Sequence, residues 1–81
     1  MNHAKTTTLD LLQTGKQAFV HKLLGNGSKR RRLAEMGITP NTPLTIKRIA
    51  PLGDPMEISL RGYELSLRLG DAKNIEVFLE K

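Results

Sequence analysis

Residues 50–68 read APLGDPMEISLRGYELSLR, a proline-bounded loop (Pro51-Leu52-Gly53-Asp54-Pro55) running into two strand-like alternations that meet at Arg61-Gly62. Successive side chains of a strand point to opposite faces. Met56, Ile58 and Leu60 therefore share one face, and Glu57, Ser59 and Arg61 the other. After Gly62 the alternation resumes one residue out of step, with Tyr63, Leu65, Leu67 and Leu69 apolar and Glu64, Ser66 and Arg68 polar. A glycine at such a slip predicts a hairpin whose strands meet in a bulge or tight corner, because it has no Cβ to clash where the strand bends.

On the N-terminal side, Thr39-Pro40-Asn41-Thr42 predicts a turn, with proline pre-setting one φ and asparagine tolerating a left-handed residue. A strand then starts near Pro43, with Leu44 and Ile46 on one face. Ile49 is out of phase with Ile46, which places a bulge or the strand's end around Lys47 and Arg48. Ahead of the turn, Ser28 is the expected N-cap of a short helix over 29–36 that Gly37 closes. Leu33 and Ile38 stand at the positions whose apolar contact accompanies a Schellman cap. Gln17 to Leu24 reads as a first strand, with Ala18 and Val20 on one face, and Gly25-Asn26-Gly27 as the turn after it. Residues 1–8 are polar and without period and read as a loose tail. On the C-terminal side, 70–73 predicts a turn or one helical turn, and Ile75, Val77 and Leu79 a closing strand.

The chain has 81 residues, which implies a single small domain over 1–81. Five short strands, one short α-helix and tight turns predict a mostly β fold, a small five-stranded antiparallel barrel, because closing the sheet hides its edges. An open sheet with one helix across it is the competing architecture. With no cysteine, disulfides, thiolate metal sites and cysteine nucleophiles are excluded. The apolar runs are too short to span a bilayer and the start lacks the stretch of a signal peptide, so a cytoplasmic location is expected. Thirteen Lys and Arg against eight Asp and Glu give a formal charge of +5, which favours acidic partners. The only aromatics are Phe19, Tyr63 and Phe78. These supply a poor stacking platform, so nucleic acid is not the expected partner.

The most informative charge feature is Lys29-Arg30-Arg31-Arg32. Cations in the first turn of a helix oppose its macrodipole. The run is either a solvated basic face or a docking surface for an acidic patch. An arginine acting in trans on a nucleotide-hydrolysing partner is a sharper version of the second reading. Leu52, at the tip between two prolines, is the other candidate contact; Asp54 is expected to bond local backbone. His3 and His21 could hold a transition metal only beside Asp10 or another carboxylate, and their spacing does not suggest it. No cofactor is expected. No serine or threonine is paired with a histidine and carboxylate, and no phosphate-cradling glycine loop is present, so the chain does not read as an enzyme. Cross-strand pairing with basic residues accounts for Glu57 and Glu64 better.

Arg32-Leu33, Met36-Gly37-Ile38, Pro40, Ala50 to Pro55, Arg61-Gly62-Tyr63, Leu67-Arg68 and Ala72, taken in this order, resemble the ferrous iron transport protein A family (FeoA) from about Leu9 to Val77. Asn41 departs from the glycine usual after that proline, on a backbone that asparagine also accepts. The barrel also resembles the C-terminal domain of iron-dependent repressors of the diphtheria-toxin-repressor type. Those carry a helix-turn-helix ahead of it, for which this chain has no room. The FeoA resemblance implies an SH3-like barrel and an accessory role in ferrous iron uptake. It also implies a partner, the membrane ferrous iron transporter B with its cytosolic guanine-nucleotide-binding domain, which would recruit the chain to the inner face of the membrane. Arg30, Arg31, Arg32 and Leu52 are the expected contact residues. A basic nucleic-acid-binding barrel and a subunit that self-associates weakly through an exposed barrel edge are the alternatives.

Overall fold

The computed structural model describes residues 5–79. Strands β1 (Thr6–Thr8), β2 (Gln17–Leu23), β3 (Pro43–Ile49), β4 (Met56–Leu60), β5 (Tyr63–Leu67) and β6 (Ile75–Phe78) form one sheet in the order β1-β6-β2-β3-β4-β5. Every pairing is antiparallel. A 3-10 turn (Leu9–Leu11) follows β1, helix α1 (Gly27–Glu35) lies between β2 and β3, and a one-turn helix α2 (Leu69–Ala72) joins β5 to β6. The architecture is the expected SH3-like fold with six strands in place of five.

The extra strand is Thr6–Thr8, part of the stretch expected as a loose tail. It pairs with β6 in the register Thr6↔Phe78, Thr7↔Val77 and Thr8↔Glu76. Three β-branched residues suit a pleated backbone, but without apolar alternation they carry no periodic signal. Residues 1–4 of that tail, His3 among them, lie outside the described residues.

The alternation of the opening stretch sets the core. Met56, Ile58 and Leu60 are buried and pack with Val20, Leu44, Ile46, Leu67, Ile75 and Val77 inside the bent sheet. The expected bulge in β3 is present, where the register against β4 shifts between Ile46 and Arg48. The slip at Gly62 has a different origin. Arg61 and Gly62 both have positive φ (51° and 82°), the pattern of a two-residue type I′ turn. Leu60 pairs directly with Tyr63 and Ile58 with Leu65, so the apparent phase change is the span of the turn and not a bulge. A second bulge, between Val20 and Lys22 of β2 against β6, falls where the sequence shows no glycine.

Candidate docking surface

Helix α1 carries the basic run and is held from three sides. Its N-cap is Asn26, whose Oδ1 accepts the Lys29 N–H at 2.9 Å, and not Ser28, which lies inside the first turn. Leu33 is its one buried residue. At the other end Gly37 (φ 97°) forms the expected Schellman cap, with Ile38 N–H donating to Leu33 O at 3.2 Å and Gly37 N–H to Ala34 O at 3.0 Å.

The β4–β5 turn engages two further carbonyls at this end, those of Met36 and Gly37. Tyr63 Oη donates to Met36 O, Arg61 Nε to Gly37 O at 3.2 Å, and Arg61 Nη2 to Thr39 Oγ1 and Thr42 Oγ1 at 2.8 and 3.0 Å. A guanidinium here meets the negative pole of the helix. Read as a corner, Arg61-Gly62-Tyr63 proves to be a clamp on α1. The signal available in sequence was the pairing of an arginine with a tyrosine around a turn glycine, which names no distant partner.

The basic run divides into two roles. Arg32 is drawn into structure: Nη2 donates to Asp71 Oδ1 at 2.6 Å and Nη1 reaches Oδ2 at 3.5 Å, pinning α1 to α2. Lys29, Arg30 and Arg31 are exposed. Arg30 Nη1 donates to the Gly25 carbonyl at 2.6 Å. No carboxylate among the described residues lies within ion-pair distance of Lys29, Arg30 or Arg31. The first turn of α1 contains no acidic residue, and Glu35 stands in its last. The helix thus carries Lys29 and Arg30 against its dipole at the N-terminal end, while at the C-terminal end Arg32 and the Arg61 guanidinium offset Glu35.

The proline-bounded loop is ordered by Gly53 N–H to Ala50 O (2.7 Å) and Ala50 N–H to Pro55 O (3.0 Å). Leu52 at its tip is 92% exposed. Asp54 does not serve the loop's own backbone. Its Oδ1 accepts the Leu69 N–H at 3.0 Å and lies 3.4 Å from Arg68 Nε. Because Arg68, the N-cap of α2, makes no side-chain cap, Asp54 supplies that cap from another element. Helix α2 is therefore a bridge. Asp54 binds its first residue and Asp71, two positions on, binds Arg32, so one helical turn links the Leu52 loop to the basic helix. Neither aspartate's distant role had a signal in the sequence. Asp54→Ala removes the cap and is expected to lower unfolding stability by about 1 kcal/mol in a urea titration. An unchanged midpoint would mean that water serves the Leu69 N–H equally well.

His21 is committed elsewhere. Its Nδ1 lies 2.7 Å from Glu76 Oε2 and its ring is tilted 41° against Phe78 at 4.4 Å between centroids. Among the described residues no three His, Cys, Asp or Glu side chains are grouped to hold a metal ion. Glu57 stands 3.8 Å from Arg48 across the β3–β4 ladder, an ion pair of the expected kind.

In class the chain is a small SH3-like domain with exposed cations on one helix and an exposed apolar loop tip. Comparison with known proteins gives the family. The FeoA domain model matches residues 7–78, and the chain belongs to this family of ferrous iron transport proteins. It is 41% identical over 71 residues to the Fe(2+) transport protein A/Fe(2+) transporter FeoB fusion protein of Porphyromonas gingivalis. That match covers 88% of this chain and only 8% of the fusion protein's length. Among solved structures, the FeoA-like protein of Clostridium acetobutylicum superposes with a TM-score of 0.85 at 36% identity, covering 93% of this chain and 87% of that one. The zinc-complexed FeoA of Stenotrophomonas maltophilia, described as an SH3 domain protein, gives a TM-score of 0.76 at 25% identity, covering 88% of both chains.

Proposed function

We propose that this chain is a non-enzymatic accessory module of ferrous iron uptake. It docks from the cytosol onto the guanine-nucleotide-binding part of the membrane ferrous iron transporter B and modulates that protein's assembly or activity. The observation that carries this reading is the Lys29-Arg30-Arg31 face, three cations in the first turns of a helix with no carboxylate in reach among the described residues. Each opposes the helix dipole, and an acidic surface on a partner would offset the cost. Leu52, held out on a loop tethered to the same helix through α2, would supply an apolar contact in addition to the charged one. Two further points support the reading. The relative from Porphyromonas gingivalis has a region like this one in the same polypeptide as a FeoB transporter, and no helix among the described residues is long and apolar enough to cross a membrane.

The test is capture of the transporter's purified cytosolic domain by this chain. Arg30→Glu combined with Arg31→Glu is expected to abolish capture while leaving the circular dichroism spectrum unchanged and the thermal midpoint no lower, since neither side chain is buried and glutamate suits the helix N-terminus better than arginine. Leu52→Ala is expected to weaken capture by about tenfold without loss of stability. Capture by the charge-reversed protein at wild-type strength would remove the basic face from the interface, and undiminished binding by Leu52→Ala would reduce the loop to a turn.

A further inference from the structure

Strand β5 is an edge of the sheet. It pairs with β4 and with no other strand, and none of its residues takes part in a backbone hydrogen bond outside the β4–β5 ladder among the described residues. Leu60 and Tyr63 flank the two-residue turn and so form a hydrogen-bonded pair, and hydrogen-bonded and open pairs alternate along an antiparallel ladder. The next hydrogen-bonded pairs are Ile58 with Leu65 and Met56 with Leu67. The N–H and C=O groups of Glu64 and Ser66 therefore point away from β4, and both residues are exposed.

We propose that this edge pairs with β5 of a second copy of the chain, antiparallel about a two-fold axis at Leu65. The register is self-complementary. Glu64 of one copy falls opposite Ser66 of the other, so that the two pairs exchange four backbone hydrogen bonds. On the inner face half-buried Leu65 meets its own copy and Tyr63 meets Leu67. On the outer face Glu64 lies diagonal to Arg68 of the second copy at two places, against one like-charge diagonal between the two Glu64 side chains. Arg68 is 77% exposed and touches Asp54 only through Nε, at 3.4 Å, which leaves its terminal nitrogens for this contact. The charges that would repel a copy laid in parallel thus select the antiparallel one. Five residues of edge bury far less than the ~1,200 Å² of a stable interface, so the association is weak and reversible.

Sedimentation of the full chain between about 10 μM and about 1 mM, the range suited to a small interface, is expected to show a monomer–dimer equilibrium. Over the same range the amides of Glu64 and Ser66 gain protection from hydrogen exchange while those at the outer edge of β1 do not. Glu64→Lys, on the solvent side of the strand, raises the dimer dissociation constant by about tenfold by reversing both attractive diagonals. Ser66→Pro, which removes one outward donor and no ladder bond, abolishes dimer formation. Unchanged circular dichroism of both variants shows that the fold is retained. A single monomeric species at every concentration, or amide protection at Glu64 and Ser66 that does not depend on concentration, overturns the proposal. Protection that appears only when the transporter's cytosolic domain is added would overturn it too, and would assign the edge to that protein.

Discussion

Gly37→Ala is expected to destabilise the fold by about 2–3 kcal/mol, with an unfolding midpoint lowered accordingly in urea. Two costs combine. The backbone at Gly37 has φ 97°, well outside what a side-chain-bearing residue adopts comfortably, and the Schellman cap fixes it there through both of its hydrogen bonds. A Cβ at this position would also stand 2.6 Å from Tyr63 Oη. Tyr63 is partly exposed and can swing away, but only by giving up its bond to Met36 O. The steric part is therefore limited to about the worth of one hydrogen bond, ~1 kcal/mol, and backbone strain is the larger share. A double-mutant cycle with Tyr63→Phe separates them. Removing the hydroxyl removes both the bond and the clash, so the double variant should lose less than the sum of the two single losses. Full additivity would show that the hydroxyl never constrains the cap, and a loss below about 1 kcal/mol for Gly37→Ala alone would contradict the strain itself.

Leu33→Ala is expected to cost about 3 kcal/mol, within the 2–5 kcal/mol span of large-to-small core changes, and to release α1 before the rest of the fold. Leu33 is fully buried and is the one residue of α1 that enters the core. The remainder of the helix is polar and cationic, and its first turn opposes the dipole. Nine residues of this composition do not hold a helix in water alone. What keeps α1 in place is this side chain, the cap at Gly37, the Arg61 and Tyr63 bonds, and the Arg32–Asp71 pair. Only the first is apolar burial. Hydrogen exchange should show α1 amides losing protection in Leu33→Ala while β3 and β4 keep theirs. If Arg30 and Arg31 act as proposed, binding of the transporter's cytosolic domain should fall with it, since the cations lose their platform. A uniform loss of protection across the sheet would mean that helix and barrel unfold as one unit.

Much of the barrel was legible because its strands are half-buried. Met56, Ile58 and Leu60, then Leu44 and Ile46, alternate as a sheet with one wet face must, and the slip at Ile49 marked a true bulge. The helix end was legible because a left-handed closing residue with an apolar pair around it is a local motif. Other features left weaker marks. Asn26 and Ser28 are both good N-caps, and the choice between them falls to where the chain leaves β2. The bulge at His21 and the strand at Thr6–Thr8 depend on what β6 offers them.

The candidate surface divides the same way. Arg30, Arg31 and Arg32 form one run in sequence, yet Asp71, 39 positions after Arg32, takes Arg32 out of it. Leu52 stood out as an apolar tip between prolines, and it is exposed as expected. That its loop is tied to the basic helix through α2 was not readable, because the link runs through Asp54, Leu69 and Asp71. By itself the sequence determined the alternation that sorts core from surface, the glycine cap, the turns and the basic run, all set by neighbours within a few residues. Only the tertiary structure decided which cations are paired, what Asp54 and Arg61-Gly62-Tyr63 hold, and which strand edge stays open. Those depend on hydrogen-bonding partners brought together by the bending of the sheet, and separation along the chain carries no trace of them.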